Sequence, residues 1–238
     1  MRAILFGAVL AAMASGALAT RALAADNTLT PAEKKAGWTL LFDGETTAGW
    51  RGFKAPTPDA GWTAKGELSP DPKTSKDIMT KETFGDFDLT FDWKISPKGN
   101  SGVMFHVTEA GQETYQSGLE YQVLDNSRGE PPLEQAGGLF ALYAPEGAVT
   151  KPVGEYNTGR IVVDHGKVEH WLNGVKVAGK QAAQMRVARG LVAADVAETL
   201  MREYLERYMA GRPERNELLD RATMKLVGEP TLIFKGTE

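Results

Sequence analysis

"DFDLTFDWKISPKGNSGVMFHVTE", residues 86–109, alternates twice around a single turn. In its first half Phe87, Leu89, Phe91, Trp93 and Ile95 fall on one side, with Asp86, Asp88, Thr90, Asp92 and Lys94 on the other. A period of two with one apolar and one polar side predicts a half-buried antiparallel strand with a solvated face. "SPKGNSG" then reads as a turn. In the second half Val103, Phe105 and Val107 point one way, and Met104, His106 and Thr108 the other, so a histidine stands on the polar side of the second strand. Gly99 and Gly102 permit backbone geometry that other residues resist. Asn100 and Ser101 bring short side chains able to bond to backbone or to a ligand. Taken alone, GNSG is a polar turn and a lone strand histidine is solvated or structurally bonded.

Outward from this strand–turn–strand stretch the same signals continue. "LEYQVLD" (119–125) predicts another strand, and "GRIVVDHGKVEHWLNGVKV" (159–177) a meander turning at "DHG" and "NG". Short strands separated by turn residues from Trp38 to about Val177 predict an all-β domain, a sandwich or a barrel. After Lys180 the composition shifts to Ala, Leu, Met, Glu and Arg, good helix formers. Val192, Val196, Leu200, Tyr204 and Tyr208 step by four, which predicts a helix face, ended by Gly211 and Pro213. "PERNELLDRATMKL" reads as a second, shorter helix and "TLIFKG" as a terminal strand.

The opposite end of the chain reads as a secretory leader, 1–24: Arg2, an apolar run from about Ala3 to Ala19, and Ala22-Leu23-Ala24 as a small-x-small cleavage signal before Ala25. The run is short for a membrane span, so no stable anchor is expected after cleavage, and the mature protein is expected in the periplasm or outside the cell. Among 238 residues there is no cysteine, hence no disulfide. A net charge of −4 without basic runs argues against a nucleic-acid partner.

The candidate chemistry collects around His106. "SGLEYQVLDN" supplies Glu120, Gln122 and Asp125, and "AGGLFALYAPEG" supplies Tyr143. "PVGEYNTGRIVVD" supplies Glu155, Asn157 and Arg160, and the early stretch supplies Trp50, Arg51, Lys54 and Trp62. His165, in the "DHG" turn, reads as solvated, and His170, sharing a face with Val168 and Leu172, as packed or bonded. The aspartates at 86, 88 and 92 read as a solvated face.

The signatures "LFDGETTAGWRGF", "TKETFGDFDLTFDWKIS", "GNSGVMFHVTE", "YQVLDN", "KPVGEYNTGRIVVD" and "VEHWLNGVKV" together resemble the 3-keto-disaccharide hydrolase domain family, from about Gly37 to Val177. The resemblance implies a concanavalin A-like jelly-roll β-sandwich over 37–180, with sugar chemistry on a concave sheet and an atypical helical tail over 181–238. It implies glycosides already oxidised to a ketone at carbon 3. Proton abstraction at carbon 2 and loss of the aglycone from carbon 1 would be followed by addition of water. Such a route needs a base, a proton donor and a stabiliser of the ketone oxygen, and does not need the paired carboxylates of ordinary glycosidases. His106 and Glu120 are the expected catalytic pair on one concave face. Asn100, Gln122 and Arg160 are expected to hold hydroxyls or the ketone oxygen, and Trp50 or Trp62 to stack on the sugar. Ser101, Arg51, Lys54, Asp125, Tyr143 and Asn157 complete the expected binding set. No cofactor is evident; a divalent metal suits enolate chemistry, but no HxH or HExxH spacing supplies one. The family's closing strand motifs, G-x-I-x-L-Q-x-H-G and F-R-N-I-x-I, are missing here. A noncatalytic carbohydrate-binding module on the same sandwich is the alternative function, and a cell-envelope interaction protein a third. The Val192–Tyr208 stripe offers a dimerisation surface.

Overall fold

The structure is a computed structural model that describes residues 2–7, 27–147, 149–164, 167–178 and 231–234. It is built mostly of antiparallel strands in two large sheets and a hairpin. A capped helical turn, α1 (Pro31–Lys35), precedes β2 (Trp38–Leu40). The first sheet runs β12 (Val175–Ala178), β11 (Lys167–Leu172), β10 (Asn157–Asp164), β7 (Phe87–Trp93), β1 (Arg2–Gly7), β2. The second runs β3 (Trp50–Gly52), β6 (Ile78–Thr80), β13 (Thr231–Phe234), β8 (Asn100–Val107), β9 (Leu119–Leu124). β4 (Trp62–Ala64) and β5 (Leu68–Pro70) pair separately.

The alternation of 86–95 is realised in β7, where Phe87, Leu89, Phe91 and Trp93 are buried and the residues between them are not. β10 repeats the pattern, with Ile161 and Val163 buried beside Leu89 and Phe87. These side chains meet the second sheet directly. Phe87 packs edge-on to Phe105 of β8 at 6.1 Å between ring centres, and Phe91 edge-on to Tyr121 of β9 at 5.2 Å. Edge-to-face contacts of this kind add to the burial of two large rings. The Tyr121 hydroxyl donates to the Trp171 carbonyl at 3.0 Å, tying β9 to β11 across the core. The two sheets therefore face each other over one apolar layer.

The polar face of β7 is not simply solvated. Asp88 accepts two hydrogen bonds from Arg160 at 2.7 and 2.6 Å, and Asp92 accepts from the Thr158 hydroxyl at 2.7 Å. These contacts zip β7 to β10 on the outside of the first sheet.

Both chain ends enter the sheets. Arg2–Gly7 pairs with β7 over six positions and with β2 over three. Thr231–Phe234 pairs with β6 and β8. The expected helices between 181 and 225, the Val192–Tyr208 stripe and the "DHG" turn with His165 lie outside the described residues. Among the described residues no helix is long and apolar enough to cross a membrane.

Candidate active site

The outward face of the second sheet carries a row that crosses it strand by strand. Register aligns Arg51 of β3 with Met79 of β6, Met79 with position 233 of β13, position 233 with Met104 of β8, and Met104 with Glu120 of β9. Opposite residues of an antiparallel ladder share a face. Met79 and Met104 are buried, with Val107 in the same cluster, and form an apolar floor between a basic edge and an acidic edge. The next positions along this face are Gly102 opposite Gln122, then Asn100 opposite Leu124.

Glu120 lies across β8. A β-carbon on Gly102 would sit 2.7 Å from both Cγ and Cδ of Glu120, with Oε1 closer still. The carboxylate thus reaches over the neighbouring strand, and Glu120 is only 8% exposed. Gln122 is buried beside it. Its amide nitrogen donates to the Glu134 carbonyl at 3.3 Å, which turns its own oxygen the other way. A carbonyl oxygen only accepts, so this bond fixes the orientation of the amide. Gln122 Oε1, Asn100 Oδ1 and Glu134 Oε1 have no hydrogen-bond partner among the described residues. Buried acceptors without donors are costly, and sites that bind donor-rich ligands carry such groups.

Glu134 was not expected from sequence. It ends a 3-10 turn, Pro132–Glu134, in a stretch with no alternation to mark an inward-facing acid. Glu109 was also missed: it receives both Arg51 terminal nitrogens at 2.7 and 2.9 Å and the Lys54 backbone N–H at 2.8 Å. Arg51 holds the Glu109 carboxyl below its ordinary range. Arg51 and Lys54 therefore sit at the β3 edge of this face, with Arg51 already engaged by a carboxylate. Tyr143 lies on the segment flanking β9, where its backbone pairs with Leu139.

His106 stands elsewhere. The ladder slips between Thr231 and Ile233, which face Val107 and Met104, so β8 carries an extra residue at this point. His106 occupies the bulge with φ +57, a left-handed conformation rare for a residue with a β-carbon. Val107 consequently joins Met104 on the outward face, where simple alternation would have put His106. Burial drives the His106 pKa down against the opposing charge of Asp86, which precedes β7 in the facing sheet. The expected sharing of one face by His106 and Glu120 is corrected by this bulge.

Several other expected ligand contacts are corrected too. Trp50 and Trp62 belong to the core; their indole N–H groups donate to the carbonyls of Leu41 at 2.9 Å and Lys76 at 2.7 Å. Neither offers a ring face to a sugar. Ser101 is buried on the inward side of β8, alternating with Gly102 and opposite Val123. Asn157 and Arg160 lie on β10 of the other sheet. Asn157 Oδ1 accepts from the Lys151 backbone and from Asn173, while Arg160 pairs with Asp88 and lies over Trp171 at 5.5 Å. Asp125 accepts from the Lys98 and Ser127 backbones and the Ser127 hydroxyl; these bonds, Lys98 first, lower its pKa and clamp the turn before β8.

His170 fulfils the structural reading. It is buried between Phe105 and Tyr121, its Nδ1 lies 3.2 Å from the Gly137 carbonyl, and burial pushes its pKa down to about 4. Among the described residues no group of three or more His, Cys, Asp or Glu side chains is arranged to hold a metal ion.

Several known proteins resemble this chain. The family model described as a 3-keto-alpha-glucoside-1,2-lyase-like domain matches residues 37–193. A 3-keto-disaccharide hydrolase from Bacteroides thetaiotaomicron is 29% identical over 162 residues, covering 58% of this chain and 56% of that protein. The chain thus spans little more than half the length of that relative. Over a separate comparison of 51 residues, the chain is 59% identical to a pigment production hydroxylase from Rhodococcus sp., covering 21% of this chain and 13% of that one. A solved structure of a candidate glycosyl hydrolase from Parabacteroides distasonis superposes with a TM-score of 0.68 at 27% identity, over 88% of this chain and 92% of that chain. A second from the same organism, at 21% identity and a TM-score of 0.52, over 84% of this chain and 78% of that chain, shares the fold.

Proposed function

Because this chain belongs to the 3-keto-alpha-glucoside-1,2-lyase-like domain family, we propose that it is a hydrolase of 3-keto-glycosides, 3-keto-disaccharides among them, working on the outward face of the second sheet. The two-sheet architecture is read as a concanavalin A-like jelly roll, and the leader as an export signal cleaved after Ala24. The observation that carries the activity is Glu120, a carboxylate laid over Gly102 on the face of the second sheet turned away from the first, amid acceptor oxygens and beside Met79 and Met104.

In this reading Glu120 is the base. The ketone at carbon 3 acidifies the hydrogen on carbon 2; Glu120 takes that proton and the electron pair of the C–H bond forms the enolate. Collapse of the enolate breaks the bond from carbon 1 to the aglycone oxygen, which leaves with a proton. Water then adds across the carbon 1–carbon 2 double bond, oxygen to carbon 1 and hydrogen to carbon 2, and the net change is hydrolysis. Gln122 and Asn100 accept hydrogen bonds from sugar hydroxyls.

The test is incubation of the protein with a 3-keto-disaccharide in deuterated water. Release of both sugars, with deuterium at carbon 2 of the 3-keto product, is expected. Glu120→Gln should lower turnover by ~10²-fold or more, the usual effect of losing one acid–base group. Arg160→Ala, on the outer face of the other sheet, should leave it within a few-fold. Binding of the disaccharide without release of product would favour the carbohydrate-binding alternative.

A further inference from the structure

We propose that Gly102 is the positioning residue for Glu120: by having no side chain, it opens a trough across β8 that carries the carboxylate from the edge strand toward the middle of the sheet. The inference rests on Glu120 being the base, and it assigns a reason for the second glycine of Gly-Asn-Ser-Gly that turn chemistry does not supply.

The geometry is specific. Gly102 lies inside β8, paired with Gln122, and not in the turn that precedes the strand. No positive φ requires glycine there, unlike Gly129 or Gly174, which do have positive φ. What requires it is space. Cγ and Cδ of Glu120 both stand 2.7 Å from where a β-carbon would be, closer than real β-carbons approach other atoms. A glycine within a strand usually weakens it and marks a close approach. Here the approaching group is the carboxylate arm of the adjacent strand.

The consequence is a displacement of the base. Neighbouring strands are about 4.8 Å apart, so reaching onto β8 moves the carboxylate by about one strand spacing, from above β9 to above Gly102, beside Met104 on the same face. A side chain at 102 would return it to the edge, next to its own strand. A base must reach its proton within hydrogen-bond distance, so a shift of this size removes it from a substrate seated above β8.

The test is Gly102→Ala in the full chain, with a crystal structure and kinetics on a 3-keto-disaccharide. The Glu120 carboxylate should leave its place over β8. Turnover (kcat) should fall at least ~10-fold while KM stays within a few-fold, the pattern of a lost transition-state interaction. In a Glu120→Gln background the same alanine should cost no further turnover. A carboxylate that remains over β8 in Gly102→Ala overturns the proposal. So does unchanged turnover in Gly102→Ala when Glu120→Gln is inactive. If the carboxylate moves but Glu120→Gln keeps full turnover, the assignment of Glu120 as base fails while its placement by Gly102 stands. Should Gly102→Ala fail to fold, Gly102→Ala with Glu120→Ala decides: removing the arm restores the melting temperature if the clash is with that arm, and failure to restore it overturns the proposal.

Discussion

His106 and His170 divide the histidine chemistry of the described residues in an unexpected way. Both are held in surroundings that disfavour the charged ring, yet neither sits beside Glu120 on the outward face. His170 has the clearer consequence. Its folded pKa is about 4 against an ordinary 6.5. Below pH 6.5 the unfolded chain takes up a proton that the folded chain refuses, so stability falls as pH drops from 6.5 toward 4 and is fully present above 6.5. The full loss from this one group is on the order of 3 kcal/mol, at about 1.4 kcal/mol per pH unit of difference. Melting temperature should therefore decline across this interval. His170→Asn, which keeps a donor for the Gly137 carbonyl but does not titrate there, should flatten the decline. An equally steep decline in the variant would place the acid sensitivity elsewhere.

Between β7 and β10 the element is held by a fit of shapes. Gly159 lies opposite Phe91, and a β-carbon on it would stand 2.5 Å from Cζ and 2.7 Å from Cε2 of that ring. The ring has nowhere to go, because Tyr121 closes on it edge-on and is itself fastened to Trp171. Overpacking a filled core costs about 1–3 kcal/mol. Gly159→Ala should lower the unfolding free energy by that much, read as a lower urea midpoint at an unchanged m-value; a midpoint equal to that of the parent would show that the Phe91 layer yields. The contrast with Gly102 is instructive. There the obstructing atoms belong to a polar arm that can swing away, so function suffers before stability; here they belong to a ring locked in the core.

At the scale of the molecule, both sheets are joined by segments from the chain ends. β1 stands between β2 and β7, and β13 between β6 and β8; among the described residues the flanking strands do not pair with each other in either sheet. β1 pairs with β7 along its whole length, from Arg2 opposite Asp92 to Gly7 opposite Phe87. A chain beginning at Ala25, as the leader reading expects, lacks that strand. Its β7 would lose the hydrogen bonds on that side. In hydrogen exchange, amides of residues 87–93 should exchange faster in the 25–238 chain than in the full chain, with residues 119–124 unchanged. Equal protection of 87–93 in both would mean that the sheet does not depend on Arg2–Gly7.

Local pattern determined much of this protein without help. The alternation of 86–95, the turn and the strand after it, the strand at 119–124 and the meander ending at Val177 follow from which side chains can be buried on a pleated strand, a property of neighbours in sequence, although the two strands either side of that turn join different sheets. Glu120 and Gln122 were legible as members of one polar strand face for the same reason. Tertiary structure alone decided which face each strand turns to solvent and which sheet it joins. A single extra residue at His106 reverses the side of everything after it, and no alternation rule marks a bulge in advance. Trp50, Trp62, Asn157 and Arg160 carry groups that suit a sugar, but a side chain's chemistry does not say whether a core, an opposite sheet or a ligand will receive it. The role of Gly102 was hidden for the most general reason: its meaning lies in an atom it lacks, and that absence acquires a use only when Glu120, eighteen residues later in the chain, is folded across it.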